Sequence, residues 1–402
     1  MPALEARPGS MIPYGMVGGG PGAFIGPIHR MAAALDGELE LVAGAFSSDP
    51  ARSTETGHAL GLAQDRVYET FQAMADGEAV VPPDERIRLV SIVTPNHLHH
   101  PVARAFLERG IHVVCDKPLA TSVSDAEDLC RLAADRDLLF AVTYNYTGYP
   151  MVEEARERVR SGELGSLRKV VVEYSQGWLA TLLEAEGHKQ AAWRGDPERA
   201  GPSSALGDIG SHAHNLVRYV TGLEVRSLFA DLGTVVVGRS MEDDATVLLE
   251  LDGGVRGLLF CSQVATGERN NLRLRVYGSE GGLDWSQEEP GRLRLMAPDG
   301  SERVLRRAAG ATSARAAART RLPAGHPEGF VEAFGNIYRD VARTLRTRED
   351  LGGVASLPDG ADPAIPTFPT VADGALGVHF VERALESHRR RAWVDAAYTP
   401  PT

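Results

Sequence analysis

The segment "VVCDKPLAT" at residues 113–121 places a lysine, Lys117, directly after a short apolar run that is typical of a buried strand. A lysine at the end of such a strand can donate to a substrate oxygen, and its charge helps to set proton affinities nearby. Asp116 precedes it, and Pro118 fixes the turn that aims it. The alternative interpretation is a structural salt bridge without a chemical role.

A second set of reactive side chains lies in "GDIGSHAHNL" at residues 207–216. Asp208 and His212 are four residues apart, so on a helix they would share a face at about 5–6 Å. An imidazole with an unperturbed pKa of about 6.5 can take and return a proton near neutral pH. Asp208 could orient that ring or hold the substrate. Taken alone, the pair is more often a capping acid and a surface or core histidine.

His214 lies two positions after His212 and turns away from it, which favours a packing or surface role. A metal site is not expected, because no third ligand with metal spacing is evident.

The first predicted strand runs into "VGGGPGAFIGPIH", where Gly18, Gly20 and Ala23 fit the pattern G-x-G-x-x-A. Glycines let the backbone approach a pyrophosphate, whose charge then sits at a helix N-terminus. Gly26 also fits the third glycine, so the register stays open, and a plain glycine-rich turn is the alternative. The predicted cofactor-binding residues of this loop are Gly18, Gly20, Gly22, Ala23, Phe24 and Ile25.

The second predicted strand ends in "AFSSDPARS", which carries Ser47, Ser48 and Arg52. Two hydroxyls and an arginine could hold the 2′-phosphate of NADP, and they could equally cap the next helix while the ribose of NAD binds loosely. The sequence therefore leaves NAD and NADP equally favoured.

Polar residues follow the third predicted strand in "TPNHLHHP". Doubly wound folds bind ligands at the carboxyl ends of their strands, so Asn96 and His97 could contact the nicotinamide side of a cofactor. The alternative is that they cap the next helix, and for His99 and His100 that alternative is favoured. The predicted cofactor contacts in the two rim segments are Thr94, Pro95, Asn96, His97, Asp116 and Lys117.

Four further side chains are candidates for substrate binding, beside Lys117, Asp208 and His212. An aromatic ring suits the face of a sugar, although core packing explains a tryptophan at least as often. For His326, the alternative is a place in the first turn of a helix that begins with a proline. These candidates are Tyr146, Trp178, Arg194 and His326.

Together these motifs resemble the Gfo/Idh/MocA oxidoreductase family. The resemblance rests on the glycine loop at 18–26, "TPNHLH" at 94–99, "DKP" at 116–118 and "GDIGSHAHNL" at 207–216. The family's usual Glu-Lys-Pro is Asp116-Lys117-Pro118 here, which keeps the lysine. The resemblance implies a Rossmann domain, an α/β domain with a large open sheet, and NAD(P)-linked chemistry on sugars, cyclitols and related hydroxy compounds. It also implies that Asp208 and His212 are the family's Asp-x-x-x-His pair.

The elements that must position these residues divide the chain in two. The first third alternates apolar runs with helix-like stretches, which predicts a parallel sheet with right-handed crossovers. The predicted strands are 12–17, 39–46, 88–94, 111–116 and 138–145, and the predicted helices are 26–35, 54–62, 98–110 and 123–137. In the last helix, Ser124 is the predicted N-cap, with Glu127 at the third position.

The later part predicts a mostly antiparallel sheet, with a hairpin turn at 252–254. One helix follows residue 150, the strands are predicted at 167–176, 225–237, 244–264 and 272–285, and two helices close the chain near 327–347 and 370–390. Residues 303–321 are predicted to be a solvated excursion rather than a basic interaction site. We therefore predict an α/β fold: a disordered leader at 1–10, a Rossmann doubly wound parallel sheet at 11–146, and an α/β domain with a large open sheet at 147–402.

Bulk composition restricts the function classes. The net charge of −12 argues against a nucleic-acid-binding face. The cysteines are Cys115, Cys130 and Cys261, which favours a reducing cytoplasm over a disulfide framework. No apolar run approaches a membrane span. The family resemblance also implies an open sheet with a face to cover, so a homodimer or homotetramer is expected.

The sequence predicts an NAD(P)-dependent dehydrogenase that acts on a secondary hydroxyl of a sugar, glycoside or cyclitol, without a metal. His212 would take the hydroxyl proton, Lys117 would bind the reacting oxygen, and Asp208 would orient His212 or hold a neighbouring hydroxyl. One alternative is a glycoside-cleaving enzyme that keeps NAD bound and works by oxidation and elimination. Another is a non-catalytic sensor of sugar or cofactor on the same fold.

Overall fold

The computed structural model describes residues 11–350 and 367–402. The predicted leader at 1–10 lies outside the described residues. The described chain forms two sheets, one parallel with five strands and one mostly antiparallel with nine strands, and each is packed by helices. This confirms the predicted fold class.

The five-stranded sheet has the order β2-β1-β3-β4-β5, with every pair parallel. Its strands and helices, in chain order, are β1 Ile12–Gly18, α1 Ile25–Ala34, β2 Leu39–Ala45, α2 Pro50–Ala59, α3 Phe71–Val80, β3 Leu89–Val93, α4 His99–Leu107, β4 His112–Cys115, α5 Val123–Asp135 and β5 Phe140–Val142. This order places the carboxyl ends of β1, β3, β4 and β5 along one rim, where a doubly wound sheet binds its ligand.

The nine-stranded sheet has the order β13-β12-β11-β10-β6-β9-β8-β7-β14 and is antiparallel except for the β6–β9 pair. Its elements in chain order are α6 Pro150–Arg160, β6 Leu167–Ser175, α7 Lys189–Arg194, α8 Pro197–Ala200, α9 Ser211–Thr221, β7 Val225–Gly233, β8 Asp244–Leu251, β9 Arg256–Ser262, β10 Asn271–Gly278, β11 Gly282–Ser286, β12 Arg292–Met296, β13 Glu302–Arg306, α10 Ala314–Ala318, α11 Phe330–Asp350, α12 Val371–Arg390 and β14 Val394–Asp395.

The last two long helices connect the sheets. Helix α11 packs on α1 of the parallel sheet, and α12 packs on both α5 and β7. Elements near the end of the chain therefore complete the core around the first sheet, and the division at residue 146 stays a prediction.

Several local predictions were wrong. Helix α2 begins at Pro50 and not at the predicted residue 54, because the Asp49 carboxylate caps it. That carboxylate accepts from the backbone N–H groups of Ala51 and Arg52. Helix α5 is capped by Ser122, whose hydroxyl accepts from the Asp125 N–H, and not by Ser124. Helix α3 was missed. The fifth strand covers only residues 140–142, because a 3₁₀ turn follows it.

The stretch 303–321 is not a solvated excursion. It contains most of β13 and all of α10, and Arg307 and Arg319 enter buried ion pairs. Arg319 is 5 % exposed and donates to the Thr147 carbonyl oxygen at 2.7 Å and to Asp340 at 3.1 Å. Arg307 pairs with Glu328 at 2.6 Å. The carboxylates come from distant segments, so charge content alone mispredicted this stretch.

A polar cluster lies inside the core between the parallel sheet and α11. His29 of α1 has its Nδ1 atom 2.7 Å from the Tyr338 hydroxyl, which is also 2.6 Å from the Ser91 hydroxyl. His29 is fully buried, and its Nε2 atom has no hydrogen-bond partner among the residues that the structure describes. Burial lowers the pKa of His29 to about 4, and it lowers the pKa of His112 to about 4 as well.

We expect the midpoint of thermal unfolding to fall as the pH is lowered from about 7 to about 4.5. The unfolded chain protonates these histidines near pH 6.5. Because their folded-state pKa values are lower, their stabilisation is present above that pH and is lost as the pH falls. Differential scanning fluorimetry across this pH range measures the midpoint of thermal unfolding. His112→Gln should flatten the decline, and His58→Gln, at an exposed position, should not; an identical decline in all three proteins would contradict the prediction.

Candidate active site

Lys117 lies directly beyond β4, on the rim of the parallel sheet. The Asp116 carboxylate accepts from the Lys117 backbone N–H at 2.9 Å and from the Thr143 hydroxyl at 3.0 Å. Thr143 follows β5, so two neighbouring strands hold the backbone of Lys117 in place. Asp116 was predicted to contact the cofactor; in the structure its carboxylate fixes the turn that carries Lys117.

The Lys117 ammonium reaches across to the second half of the chain. Its Nζ atom donates to the Asp208 carboxylate Oδ1 at 2.7 Å and to the Asp208 carbonyl oxygen at 2.6 Å. The lysine side chain is 11 % exposed. An ammonium carries three protons, so these two bonds leave one N–H for another acceptor.

The other carboxylate oxygen of Asp208 is also occupied. Its Oδ2 accepts from Arg194 Nε at 3.1 Å and from Gln263 Nε2 at 3.0 Å. Burial opposes ionisation, but Arg194 and Lys117 outweigh it and hold the pKa of Asp208 well below its usual range. The carboxylate is therefore a fixed anion that anchors Lys117.

Asp208 and His212 are not a simple pair on one α-helix. Residues Leu206–Gly210 form a π-helical turn, and α9 begins after it at Ser211. A π-turn closes over five residues instead of four, so the spacing argument from α-helical geometry does not apply. Within the described residues, the Asp208 carboxylate makes no hydrogen bond to His212.

Aromatic rings hold His212. Its ring centre lies 4.8 Å from that of Tyr146, 5.7 Å from Tyr144 and 6.3 Å from Tyr174. The histidine is 7 % exposed, and its Nδ1 atom has no partner among the described residues. Burial and the Lys117 charge lower its pKa well below the usual value. His212 is therefore a neutral imidazole near pH 7, able to accept a proton.

The glycine loop lies at the same rim, between β1 and α1. A Cβ on Gly26 would lie 2.4 Å from the Gly19 Cα, so Gly26 lets the helix approach the loop closely. A Cβ on Gly20 would lie 2.7 Å from the Phe46 carbonyl oxygen. Helix α1 begins at Ile25, after the exposed Phe24.

Comparisons with known proteins identify the family of this chain. A family model described as an oxidoreductase family with an NAD-binding Rossmann fold matches residues 12–144, and the model of the GFO/IDH/MocA C-terminal domain matches residues 152–284. The chain belongs to the Gfo/Idh/MocA family. It is thus an oxidoreductase with an NAD-binding Rossmann domain.

Three relatives of this Gfo/Idh/MocA member are informative. An uncharacterized oxidoreductase of Bacillus subtilis is 31% identical over 95% of this chain and 96% of its own length. The levoglucosan dehydrogenase of Pseudarthrobacter phenanthrenivorans is 27% identical over 72% of this chain and 77% of its own. An inositol dehydrogenase homolog from Azotobacter vinelandii, solved with NADH and myo-inositol, is 36% identical, covers 96% of this chain and 98% of its own, and superposes with a TM-score of 0.87.

The rim of this Gfo/Idh/MocA enzyme fits a dinucleotide. Gly20 and Gly26 keep side chains out of the loop, and a helix of ten residues starts directly behind it. The Thr94 hydroxyl is buried and has no partner in the described residues, so a polar group of the cofactor could satisfy it. The exposed His97 and its neighbours Thr94 and Pro95 lie beyond β3, as predicted.

Some predicted cofactor contacts already have partners within the protein. The Asn96 amide donates to the Ala200 carbonyl oxygen at 2.8 Å. The Ser47 hydroxyl accepts from the Asp49 N–H at 3.1 Å, and Arg52 Nη2 donates to the Pro21 carbonyl oxygen at 3.2 Å. Ser48 is exposed.

The predicted substrate residues divide into two groups. Tyr146 packs on His212, and Arg194 binds Asp208 and stands over the ring of Trp178, 5.8 Å from its centre. His326 is exposed, and its backbone makes two hydrogen bonds: the N–H donates to the Pro323 carbonyl oxygen at 3.3 Å, and the carbonyl oxygen accepts from Arg307. The catalytic and binding roles of all these residues stay predictions.

The sequence analysis missed four polar residues at the site, which are Tyr174, Gln176, Gln263 and Asn270. Gln263 binds Asp208 from directly beyond β9. The Asn270 Oδ1 atom accepts from the Tyr174 hydroxyl and from Gln176 Nε2, each at 2.7 Å. The Asn270 Nδ2 atom donates to the Tyr146 hydroxyl at 3.2 Å. Their common signal is a polar residue at a strand end. No motif distinguishes them from ordinary loop residues, because their partners are distant in sequence.

The described residues contain no group of three His, Cys, Asp or Glu side chains that could hold a metal ion. None of their helices is long and apolar enough to span a membrane.

Proposed function

We propose that this enzyme is an NAD(H)-dependent dehydrogenase that acts on a secondary hydroxyl of a sugar, glycoside or cyclitol. One observation carries the proposal. A lysine anchored on Asp208 lies on the rim that also carries the dinucleotide loop, and a neutral, buried histidine of α9 packs on tyrosines that follow β5 at the same rim. The relatives named for levoglucosan and inositol support a polyhydroxylated substrate.

The bound nicotinamide would supply the hydride acceptor. In the oxidation direction, the neutral His212 takes the proton of the reacting hydroxyl. The remaining N–H of Lys117 donates to the same oxygen and stabilises the negative charge that develops there. Asp208 holds Lys117 in position through two hydrogen bonds. It does not orient His212, whose ring is set by the tyrosines that surround it.

NAD(H) is proposed over NADP(H). The Ser47 hydroxyl and the Asp49 carboxylate both accept backbone N–H groups where α2 begins, which supports the helix-capping interpretation of this segment. The Azotobacter vinelandii homolog was solved with NADH.

We expect NADH to bind at least about tenfold more tightly than NADPH in a fluorescence titration. Arg52→Ala should change the NADH affinity by less than about threefold, because NADH carries no 2′-phosphate and the exposed guanidinium donates to the Pro21 carbonyl oxygen. Tighter binding of NADPH that is lost in Arg52→Ala would show that Arg52 is a phosphate ligand and that the NAD proposal is wrong.

A screen of inositols, monosaccharides and glycosides with NAD⁺, followed by absorbance of NADH, tests the dehydrogenase activity itself. Turnover of a polyol with free cofactor is expected. Cofactor that purifies with the protein and does not exchange, together with glycoside cleavage, would instead favour the oxidation–elimination mechanism.

We also propose that the enzyme is a cytoplasmic homodimer or homotetramer. Along β8 the inward-facing Val247 and Leu249 are buried, and the outward-facing Leu248 is 41 % exposed. Trp393, next to β14, is 40 % exposed. A second copy of the chain could cover this apolar surface. Light scattering of the purified protein tests it, and a monomer at all concentrations would contradict it.

A further inference from the structure

Two tryptophans lie beside Asp208 on the side of Arg194. The guanidinium carbon of Arg194 is 4.3 Å from the ring centre of Trp193 and 5.8 Å from that of Trp178. The Nε atom of the same arginine donates to Asp208 at 3.1 Å. Both indoles therefore stand one side chain away from the carboxylate that anchors Lys117.

The polar edges of both indoles are already satisfied. Trp178 Nε1 donates to Gln176 Oε1 at 3.0 Å, and Trp193 Nε1 donates to Gln190 Oε1 at 3.1 Å. These bonds use the polar edge of each indole. Arg194 lies over part of both rings, and the His188 ring centre lies 6.0 Å from that of Trp178, while no aromatic ring packs on Trp193 among residues 11–350 and 367–402. A ligand would therefore contact the apolar ring surface that these neighbours leave exposed.

Core packing does not account for these two residues. Trp285 is 1 % exposed and packs on Tyr149 inside the second domain, as a core tryptophan does. Trp178 and Trp193 are instead partly exposed. Large aromatic surface at the mouth of a polar site is a common feature of ligand pockets.

The segment that carries Trp193, residues 177–201, is braced against its surroundings. Arg239 donates to the Thr181 carbonyl oxygen at 2.9 Å and to Glu184 at 2.8 Å. The Ser240 hydroxyl donates to the Gly195 carbonyl oxygen at 3.0 Å. At its far end, the Ala200 carbonyl oxygen accepts from Asn96 on the cofactor rim. The indoles are thus held in position before a ligand arrives, which lowers the entropy cost of binding.

We propose that Trp178 and Trp193 form a second sugar subsite, next to the reacting one, that binds the second ring of a glycoside or disaccharide. The proposal rests on the proposed dehydrogenase function and narrows its substrate class. The C–H face of a pyranose is apolar and suits an indole face, while its hydroxyls remain free for polar groups at the edge. A one-ring polyol would fill only the reacting subsite at Lys117 and His212.

The test measures binding without turnover. The enzyme is saturated with NADH and titrated calorimetrically with maltose, cellobiose, trehalose and sucrose, and separately with glucose, methyl glucoside and myo-inositol. We expect at least one disaccharide to bind about tenfold more tightly than the one-ring compounds.

Substitutions locate the subsite. Trp193→Leu and Trp178→Leu should each reduce the advantage of the disaccharide to about twofold or less, while Trp193→Phe should retain most of it. Val80→Ala is the control, because Val80 is an apolar side chain that is 84 % exposed at the carboxyl end of α3, away from the rim of the sheet. Circular dichroism and an unchanged NADH affinity establish that each variant is folded.

Disaccharides that bind no more tightly than one-ring compounds would overturn the subsite and leave the dehydrogenase proposal intact. An advantage that survives both leucine variants would also overturn it. If NADH binds and no carbohydrate or inositol binds in either size class, the proposed function fails and the subsite fails with it.

Discussion

Lys117→Met is expected to lower kcat by about 10²–10³-fold, the usual cost of removing one donor that stabilises a developing oxyanion. Methionine keeps the length and apolar stem of lysine but cannot donate to the reacting oxygen. Arg194 and Gln263 still bind Asp208 Oδ2 in the variant, so the carboxylate remains paired. The affinity for NADH should stay within about threefold, because the glycine loop is unchanged.

The measurement is steady-state turnover of the best substrate, together with a fluorescence titration of NADH. Lys169→Met is the matched control, since Lys169 is exposed on β6, and it should leave both quantities unchanged. Wild-type turnover in Lys117→Met would mean that Lys117 is only a structural partner of Asp208.

His212→Asn is expected to lower kcat by about 10²–10⁴-fold, the usual contribution of a general base. Asparagine is small enough for the space among the tyrosines, and it cannot accept a proton near pH 7. Because Asp208 makes no hydrogen bond to His212 in the described structure, the Lys117–Asp208 pair should survive the substitution. NADH binding reports whether the rim remains intact.

The pH dependence of the wild-type enzyme gives a second test of His212. Burial and Lys117 lower the pKa of this ring, so it stays deprotonated below pH 6.5, and kcat/KM should be flat from about pH 8 to pH 6. An acid limb near pH 6.5 would contradict the burial argument. His100→Gln is the control, because its ring pairs with Asp128 on the surface at 2.8 Å, and this variant should keep the wild-type rate and profile.

Much of the fold could be predicted from local pattern. The alternation of apolar runs and amphipathic stretches predicted the parallel sheet, and Lys117 lies beyond β4 as the run "IHVVCD" indicated. Predictions that depended on single polar residues were less accurate. Ser122 and Ser124 are both acceptable N-caps by residue type, and only the entry angle of the chain selects the first of them.

The arginine-rich stretch shows a different limit. Residue counts around 303–321 indicate solvation, because isolated charges are costly to bury. The structure buries Arg319 beside the Thr147 carbonyl oxygen and Asp340, which are distant in sequence. Burial of a charge depends on such partners, and a local pattern cannot supply them.

By itself, the sequence determined the types of the reactive groups and the rim on which Lys117 and the glycine loop lie, because strand ends and short motifs are local properties. The tertiary structure alone decided which side chains contact one another at the site. Arg194 and Gln263 meet on Asp208 from different segments, so the carboxylate anchors Lys117 instead of orienting His212. Burial among the tyrosines and the nearby Lys117 lower the pKa of His212 and keep its ring neutral. Both results depend on burial and on charges brought together across the chain, which are properties of the folded molecule.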